Sequence, residues 1–570
     1  MNLNKPKTAI LIFLFITLIF SYPIYSRINN WGMHDWDQHL FYEGVPRSTI
    51  LEFHQFPLWN PYQCGGNVML ANPQSSFISI HFTLTLLLGE VIATKIAILL
   101  YLFLGMLGMW FLCRQLNMQT VSSYIPPIIL FLGGVYAIRM TVGHTNWFYL
   151  AYIPWIFYFY IKQETKYIIP ASFLLALIFL GGGIHPFIIA VTILTTYTLF
   201  TTIKNKNTKA IKLTILLFLL FFPFASIKLV PTLAVYNEML PIEQTDIQPN
   251  SFTIMLESLT NRNSDITQVY YSEDGYPWSL HEYYSYIGVL PILLFVISII
   301  LWKKEYWEYI AAAFFIIFLI LSQNIFPVLW KFIYSIPGTS IFHGLSRLLF
   351  ALIFFIAVSV GLALTHLEKK KNKQLTFIII IILFFLVTDL TLVNSSLFKK
   401  GLYIEPQKAV STDEFYTLYA EDKEFFTQQY LTFLNNKGIW NCYERFYPAV
   451  QGSIPKATFN GAEYSDYHGE AYIAGTNDEL QITYFSPNKV IIKTNSQEGT
   501  LVLNQNYVIG WKVKVDGKRQ EVTSTKGAVS TAITKDNKEV IFYYLPNSFI
   551  MGFIITIITI LLSIIYYYNY

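Results

Sequence analysis

Runs of apolar residues, each about as long as a lipid bilayer is thick, recur along the chain, and few folds can house them. A helix crossing the hydrocarbon core needs about 20 apolar residues at 1.5 Å each. Twelve segments approach that length: roughly 9 to 26, 91 to 112, 121 to 139, 146 to 161, 167 to 182, 185 to 203, 211 to 232, 284 to 302, 307 to 325, 346 to 365, 374 to 394 and 547 to 567. Charged residues make up 13% of the chain, against roughly 25% in soluble proteins, too little to cover a soluble surface of this size. Tyr and Trp beside the apolar runs fit the aromatic belts of a membrane interface. The fold class expected is therefore a polytopic α-helical membrane protein with about twelve transmembrane helices.

The first run, Ala9 to Ile24, follows Lys5 and Lys7 and lacks a small-residue cleavage site, so it reads as a retained helix rather than a removed signal. Cytoplasmic loops hold the excess of Lys and Arg, and alternate loops here carry Lys5 and Lys7, Arg114, Lys162 and Lys166, Lys204 to Lys212, Lys303 and Lys304, and Lys369 to Lys373. That pattern predicts a multi-pass protein of the cell membrane with both termini cytoplasmic. The long loops, near 27 to 90, 233 to 283, 326 to 345 and 395 to 546, then face outward. The domains expected are a helical membrane unit over 1–395 with its outer loop 27–90, an extracytoplasmic domain over 396–546, and an anchoring helix over 547–570.

Short alternating runs, Glu479 to Tyr484, Lys489 to Thr494, Thr500 to Leu503 and Val540 to Tyr544, predict strands. Gly510 to Lys518 reads as a strand closing on an Asp516-Gly517 turn. A β-sandwich-like domain, β-rich from about 471, follows. The formal charge of +4 is scattered, which argues against nucleic acid as a partner. Three cysteines, Cys64, Cys113 and Cys442, form no metal spacing, and Cys64 and Cys442 could pair across outward segments.

The densest polar cluster is His34-Asp35-Trp36-Asp37-Gln38-His39, just beyond the first helix. Two carboxylates at i and i+2 can supply a general base for a hydroxyl or hold a divalent cation; they can equally cap or solvate a turn. Phe56 to Tyr62, Cys64 to Asn67 and Leu70 to Gln74 hold Pro, Gly and Asn at a density that dictates turns, suited either to a sugar-binding cleft or to a structural plug.

The stretch from His34 through Gln74 resembles the first outer loop of YfhO-like bacterial membrane proteins, members of the glycosyltransferase C (GT-C) superfamily. Arg139 to Trp155, Gly181 to Phe187, Tyr286 to Pro291, the GWKVKVDGK run from Gly510 and Tyr544 to Gly552 agree in order, while 396 to 470 matches weakly. The resemblance implies a GT-C-like membrane glycosyltransferase that moves a sugar from a polyprenyl-phosphate donor to a glycan or lipid acceptor with inversion. It puts the catalytic carboxylate at Asp35 or Asp37 without choosing between them. No cofactor is expected to be required, although Mg²⁺ or Mn²⁺ could sit at Asp35 and Asp37.

Such chemistry needs cations facing the leaving phosphate, and ionisable residues at the ends of apolar segments are functional by default. Arg347 is the first choice and Lys228 the second. Arg139, His144 and His185 fall at the same helix ends, and His34 and His39 flank the carboxylates; all are candidates for binding substrate. His281 and Glu282, before the eighth segment, could add a second carboxylate from another loop, but Glu282 reads rather as a helix-start charge favoured by the dipole. A transporter or flippase of lipid-linked saccharide, or a non-catalytic envelope assembly protein, would share the helices but not the need for a base.

Overall fold

The computed structural model describes residues 3–569 apart from 240–246, 264, 266–267, 272–274, 276, 302, 304–305, 336–343, 371, 411, 413, 421–427, 443–445 and 477. Lys304 and Lys371 of the loops named above lie outside the described residues.

Helices occupy all twelve apolar segments, but only eight are long and apolar enough to cross a membrane among the described residues. They are Glu90–Gln115, Ser122–Thr141, Ile184–Asn205, Lys209–Glu238, Trp307–Ile325, Leu345–Glu368, Lys373–Gly401 and Asn547–Tyr567. Pro6–Phe20, Thr165–Leu180 and Val289–Ile300 are apolar but shorter. The span expected over 146 to 161 is not one helix: a 3-10 stretch Thr145–Tyr152 passes into an α-helix Ile153–Tyr160 at Pro154. The whole of Thr145–Tyr152 is buried, as is the candidate span Ser122–Thr141, so it is the change from 3-10 to α geometry that sets this segment apart.

Lys373–Gly401 runs on past 395, and its end is fixed to the first long loop: Trp31 N–H donates to the Ile404 carbonyl at 2.7 Å and Met33 N–H to that of Gly401 at 2.9 Å. The last helix, Asn547–Asn569, packs along Lys209–Val235. The Thr556 hydroxyl accepts from Ile227 N–H and donates to the Pro223 carbonyl, 2.9 and 3.2 Å away, bridging one rung of the longer helix.

The C-terminal region is sheet-rich. A three-stranded parallel sheet uses Tyr416–Tyr419, Lys437–Ile439 and Ala457–Thr458. Beyond it, a four-stranded and a five-stranded antiparallel sheet are built from Ala471–Ile473 through Glu539–Tyr544. Trp511–Val515 pairs with Lys518–Gln520 across the Asp516-Gly517 turn, and Val513, Val515, Val540 and Phe542 alternate into the core, as period-2 patterning requires.

The first long loop is clamped onto this region. Its Pro- and Gly-rich run makes a small hairpin, Trp59–Asn60 against Asn67–Val68, buried on both strands. Asn488 accepts from the N–H groups of Leu58 and Trp59, Gln505 accepts from the Trp59 indole at 3.0 Å, and Asn506 donates to the Cys64 and Gly66 carbonyls. Cys64 and Cys442 form a disulfide across 378 residues, with Cα atoms 4.8 Å apart. Of the two readings left open for this run, the structural seam is the one its burial matches. Replacing both cysteines by Ser is expected to cost about 2–4 kcal/mol, read as a lower thermal unfolding midpoint in detergent. An unchanged midpoint would leave the clamp to Asn488 and Asn506.

Candidate functional site

Two residues apart in sequence, Asp35 and Asp37 face different neighbours. A helix, Trp36–Leu51, starts between them. Its entry is fixed from below: Asp35 N–H donates to the Val142 carbonyl at 3.0 Å and the Trp36 indole to that of Met140 at 3.0 Å. Gly143, at φ +95°, lies so close that a Cβ would sit 2.1 Å from the Trp36 nitrogen, so this contact requires glycine.

Asp37 turns to the C-terminal region. Its carboxylate accepts from the backbone N–H groups of Gln429 and Tyr430 at 2.9 and 3.1 Å. Burial pushes its carboxyl up to about 7 against the pull of those two donors. Asp35 turns the other way, into a cavity of about 360 Å³ that it lines with Gln38, His39, Gln74, Arg139, His144, Trp147, His185, His281, Glu282 and Arg347.

Within that cavity the polar groups form one chain. Asp35 Oδ2 lies 2.7 Å from His144 Nε2, and His144 Nδ1 lies 3.0 Å from Arg139. Arginine can only donate, so Nδ1 accepts and Nε2–H donates to Asp35. Burial drives His144 down to about 4, against Asp35, which favours the charged ring. The neutral tautomer is thus the one the geometry demands.

Arg139 also donates to Glu282 Oε2 at 2.9 Å, with its guanidinium 4.2 Å from the centre of the Trp147 ring. Arg347 makes a two-pronged pair with the same carboxylate at 2.7 and 2.8 Å and reaches His185 Nε2 at 2.9 Å. Burial works to raise the Glu282 carboxyl, but the charges of Arg139 and Arg347, with hydrogen bonds from Arg347 and His281, hold it well below the usual carboxylate range. Behind this group Ser346 donates to the Glu282 carbonyl at 2.7 Å, and Gln248 holds Ser346 from both sides.

The structure brings together Asp35, His39, Arg139, His144, His185 and Arg347. His39 is buried, with Nδ1 3.0 Å from the Thr145 hydroxyl, and burial takes it down to about 4. His34 is exposed beside Asp35. Lys228 does not line the cavity: its ammonium is buried among the carbonyls of Pro73, Ser75, Phe179 and Leu180, 2.7 to 3.4 Å away, where it ties the first loop to a helix end. Asp35 lines the cavity and Asp37 does not, and among the described residues there is no group of three or more His, Cys, Asp or Glu placed to hold a metal. Sequence reasoning passed over Glu282 as a partner of both arginines. The signal lay in the arginines themselves, since two such charges placed among apolar segments require a buried counter-charge.

His39 and His144 bear on stability. Both are lowered in the folded chain to about 4 from 6.5, so the unfolded chain binds protons more readily. Their contribution is full above about pH 6.5 and is lost as pH falls towards 4. Thermal midpoints measured from pH 7.5 downward are expected to fall through that window, with a shallower fall in His39→Gln. A midpoint flat across it would contradict neutral burial of these rings.

Residues 447–556 match the family model described as bacterial membrane protein YfhO. Over those residues the chain is similar to the YfhO family, in agreement with the resemblance read from motif order. The match covers the two antiparallel sheets and the start of the last helix and leaves the cavity-lining residues outside it. Among solved structures, the chain is similar to arabinofuranosyltransferase AftD from Mycobacteria, at 13% identity and a TM-score of 0.45, over 70% of this chain and 27% of that one. It is also similar to an Archaeoglobus fulgidus oligosaccharyltransferase tethered to an acceptor peptide, at 14% identity and a TM-score of 0.43, over 77% of this chain and 64% of that one. The chain thus spans less than two thirds of either. No curated protein sequence matches it.

Proposed function

We propose that this chain is a membrane glycosyltransferase that moves a sugar from a polyprenyl-phosphate donor to a glycan or lipid acceptor on the extracytoplasmic face, with inversion and without a required metal. The observation that carries the reading is the arrangement of Asp35, His144, Arg139, Glu282 and Arg347 around one cavity. Asp35 is the base. His144, fixed in one tautomer by Arg139, donates to it and orients it, leaving the carboxylate to take a proton from the acceptor hydroxyl as that oxygen attacks the anomeric carbon. The sugar–phosphate bond breaks as the new glycosidic bond forms, and the leaving lipid phosphate takes up negative charge. Arg347 and Arg139 meet that charge.

The cavity charges support the division of labour. Two guanidinium groups face two carboxylates, with His144 neutral, so the resting site is close to balance. Gln38 and Gln74 supply hydrogen bonds for the sugar. The long loops and the C-terminal region share the outward face by the distribution of Lys and Arg.

A flippase shares the membrane fold and the substrate but not the reaction. In proteoliposomes carrying lipid-linked sugar on one leaflet, the transferase is expected to leave the donor in place until acceptor is added and then to consume it. Movement of intact donor between leaflets without acceptor would support the transporter instead.

A further inference from the structure

A second cavity, larger than the first, lies at the far end of the helix that Asp35 begins. It encloses about 890 Å³ between Ser48, Glu52 and Phe53, at the end of Trp36–Leu51, and the strand Ile482–Ser486 with its neighbours. At 1.5 Å per residue its near wall at Ser48 stands about 20 Å from Asp35, so it belongs to a different site. The Phe415 and Phe485 rings stack at 4.4 Å in its wall, and Tyr484, 38% exposed, offers a ring to the opening.

The electrostatics are one-sided. Glu52, Glu414, Glu470 and Glu479 line the groove, and no Lys, Arg or His does among the described residues. Among the described residues Glu414 alone of the four forms a salt bridge, with Lys456 at 2.6 Å, whose charge also reaches Glu470 and Glu479. Glu470 is 6% exposed: its Oε1 accepts from Tyr467 at 3.2 Å and Asn504 at 3.3 Å, while Oε2 has no hydrogen-bond partner. A buried polar atom left unpaired is costly, and Glu470 lines the groove, where a ligand hydroxyl could meet it. Burial raises the Glu470 carboxyl to about 8, so at neutral pH it is mostly protonated and can donate as well as accept.

Carboxylates and amides that accept from hydroxyls, a carboxyl that can donate, and ring faces between them suit a polyhydroxylated ligand. The absence of cations in the lining weighs against an anionic one. No three of the acids are placed to hold a metal. The edge strand Ile482–Ser486 could in principle accept a peptide strand, but a polar groove with a buried carboxyl behind it fits hydroxyl groups better. We infer that this groove binds the acceptor glycan, as a neutral or amine-bearing oligosaccharide, and holds it while its far end reaches the Asp35 cavity. The assignment rests on the transferase reading above for the word acceptor, but not for the binding itself.

The test is binding without donor, on the full chain in detergent, to labelled oligosaccharides in three sets: neutral, amine-bearing, and uronate- or phosphate-bearing. The native chain is expected to retain members of the first two sets and not the third. Tyr484→Ala and Glu479→Gln should weaken retention roughly tenfold, the loss of one good contact, with unchanged thermal midpoints; Tyr484→Phe should bind as the native chain does. Asp35→Asn should bind normally, which separates this site from the catalytic one. Binding by a chain that transfers no sugar would uphold the groove and sink the transferase. Retention of the anionic set alone, retention of none, binding of extended peptides in place of sugars, or native affinity in both groove variants would each overturn the groove.

Discussion

Asp35→Asn is expected to lower sugar transfer by roughly 10²–10⁴-fold, the usual contribution of a positioned base, while the protein still inserts and unfolds at its native temperature. The amide is close in size to the carboxylate and can still accept the His144 N–H, so the loss is one of basicity rather than of structure. Asp37→Asn is expected to behave differently. Its carboxylate meets two backbone N–H groups at Gln429 and Tyr430 and does not line the cavity. An amide oxygen keeps one of these contacts, so the cost is about 1 kcal/mol of stability and at most a few-fold change in transfer by the same reckoning. Transfer assays at matched expression, with thermal unfolding as the control for folding, separate the two variants. Equal loss in both would mean that the carboxylates act together and that the division drawn between them is wrong.

Glu282→Ala carries the largest expected cost in stability. Arg139 is 3% exposed and Arg347 13%, and both lean on this one carboxylate. Removing it strands two guanidinium groups in a low-dielectric pocket, and breaking a buried pair in this way typically costs about 3–5 kcal/mol. Glu282→Gln, which keeps an acceptor but not the charge, should fall between. The loss is read from thermal or denaturant unfolding in detergent, with transfer falling alongside because Arg347 and Arg139 are no longer held. If Glu282→Ala unfolded within about 1 kcal/mol of the native chain, less than any broken buried pair should cost, the charge network would not be what holds this corner of the fold.

The fold was legible in the sequence where a single physical property decides it. Apolar length marks helices such as Trp307–Ile325, whose bounds match the expected 307 to 325. Alternation marks strands such as Trp511–Val515. It was not legible where the backbone changes geometry inside one aromatic-rich run: Thr145–Tyr152 is a 3-10 stretch and Ile153–Tyr160 an α-helix. The cavity was legible in its outline, because costly charges at segment ends are few and Arg139, Arg347, His144 and His185 were among them. Its inner logic was not. Asp35 and Asp37 look alike on spacing, and only Gln429 and Tyr430, some 390 residues away in sequence, pull one of them out of the site. Cys64 and Cys442 pose the same problem across 378 residues. Glu282 was hidden by a sufficient local explanation, a charge before a helix, that said nothing of the two arginines it faces. Lys228 was read correctly as costly, but backbone carbonyls surround it, and a sequence gives no sign of those.

The most direct test is transfer by the purified native chain in detergent, where no second compartment exists, from radiolabelled polyprenyl-phosphate sugars to acceptor extracted from the native membrane. The account predicts label in the acceptor with an equal amount of polyprenyl phosphate released. Folded protein that moves no label from any polyprenyl-phosphate sugar, with native acceptor present, would contradict it.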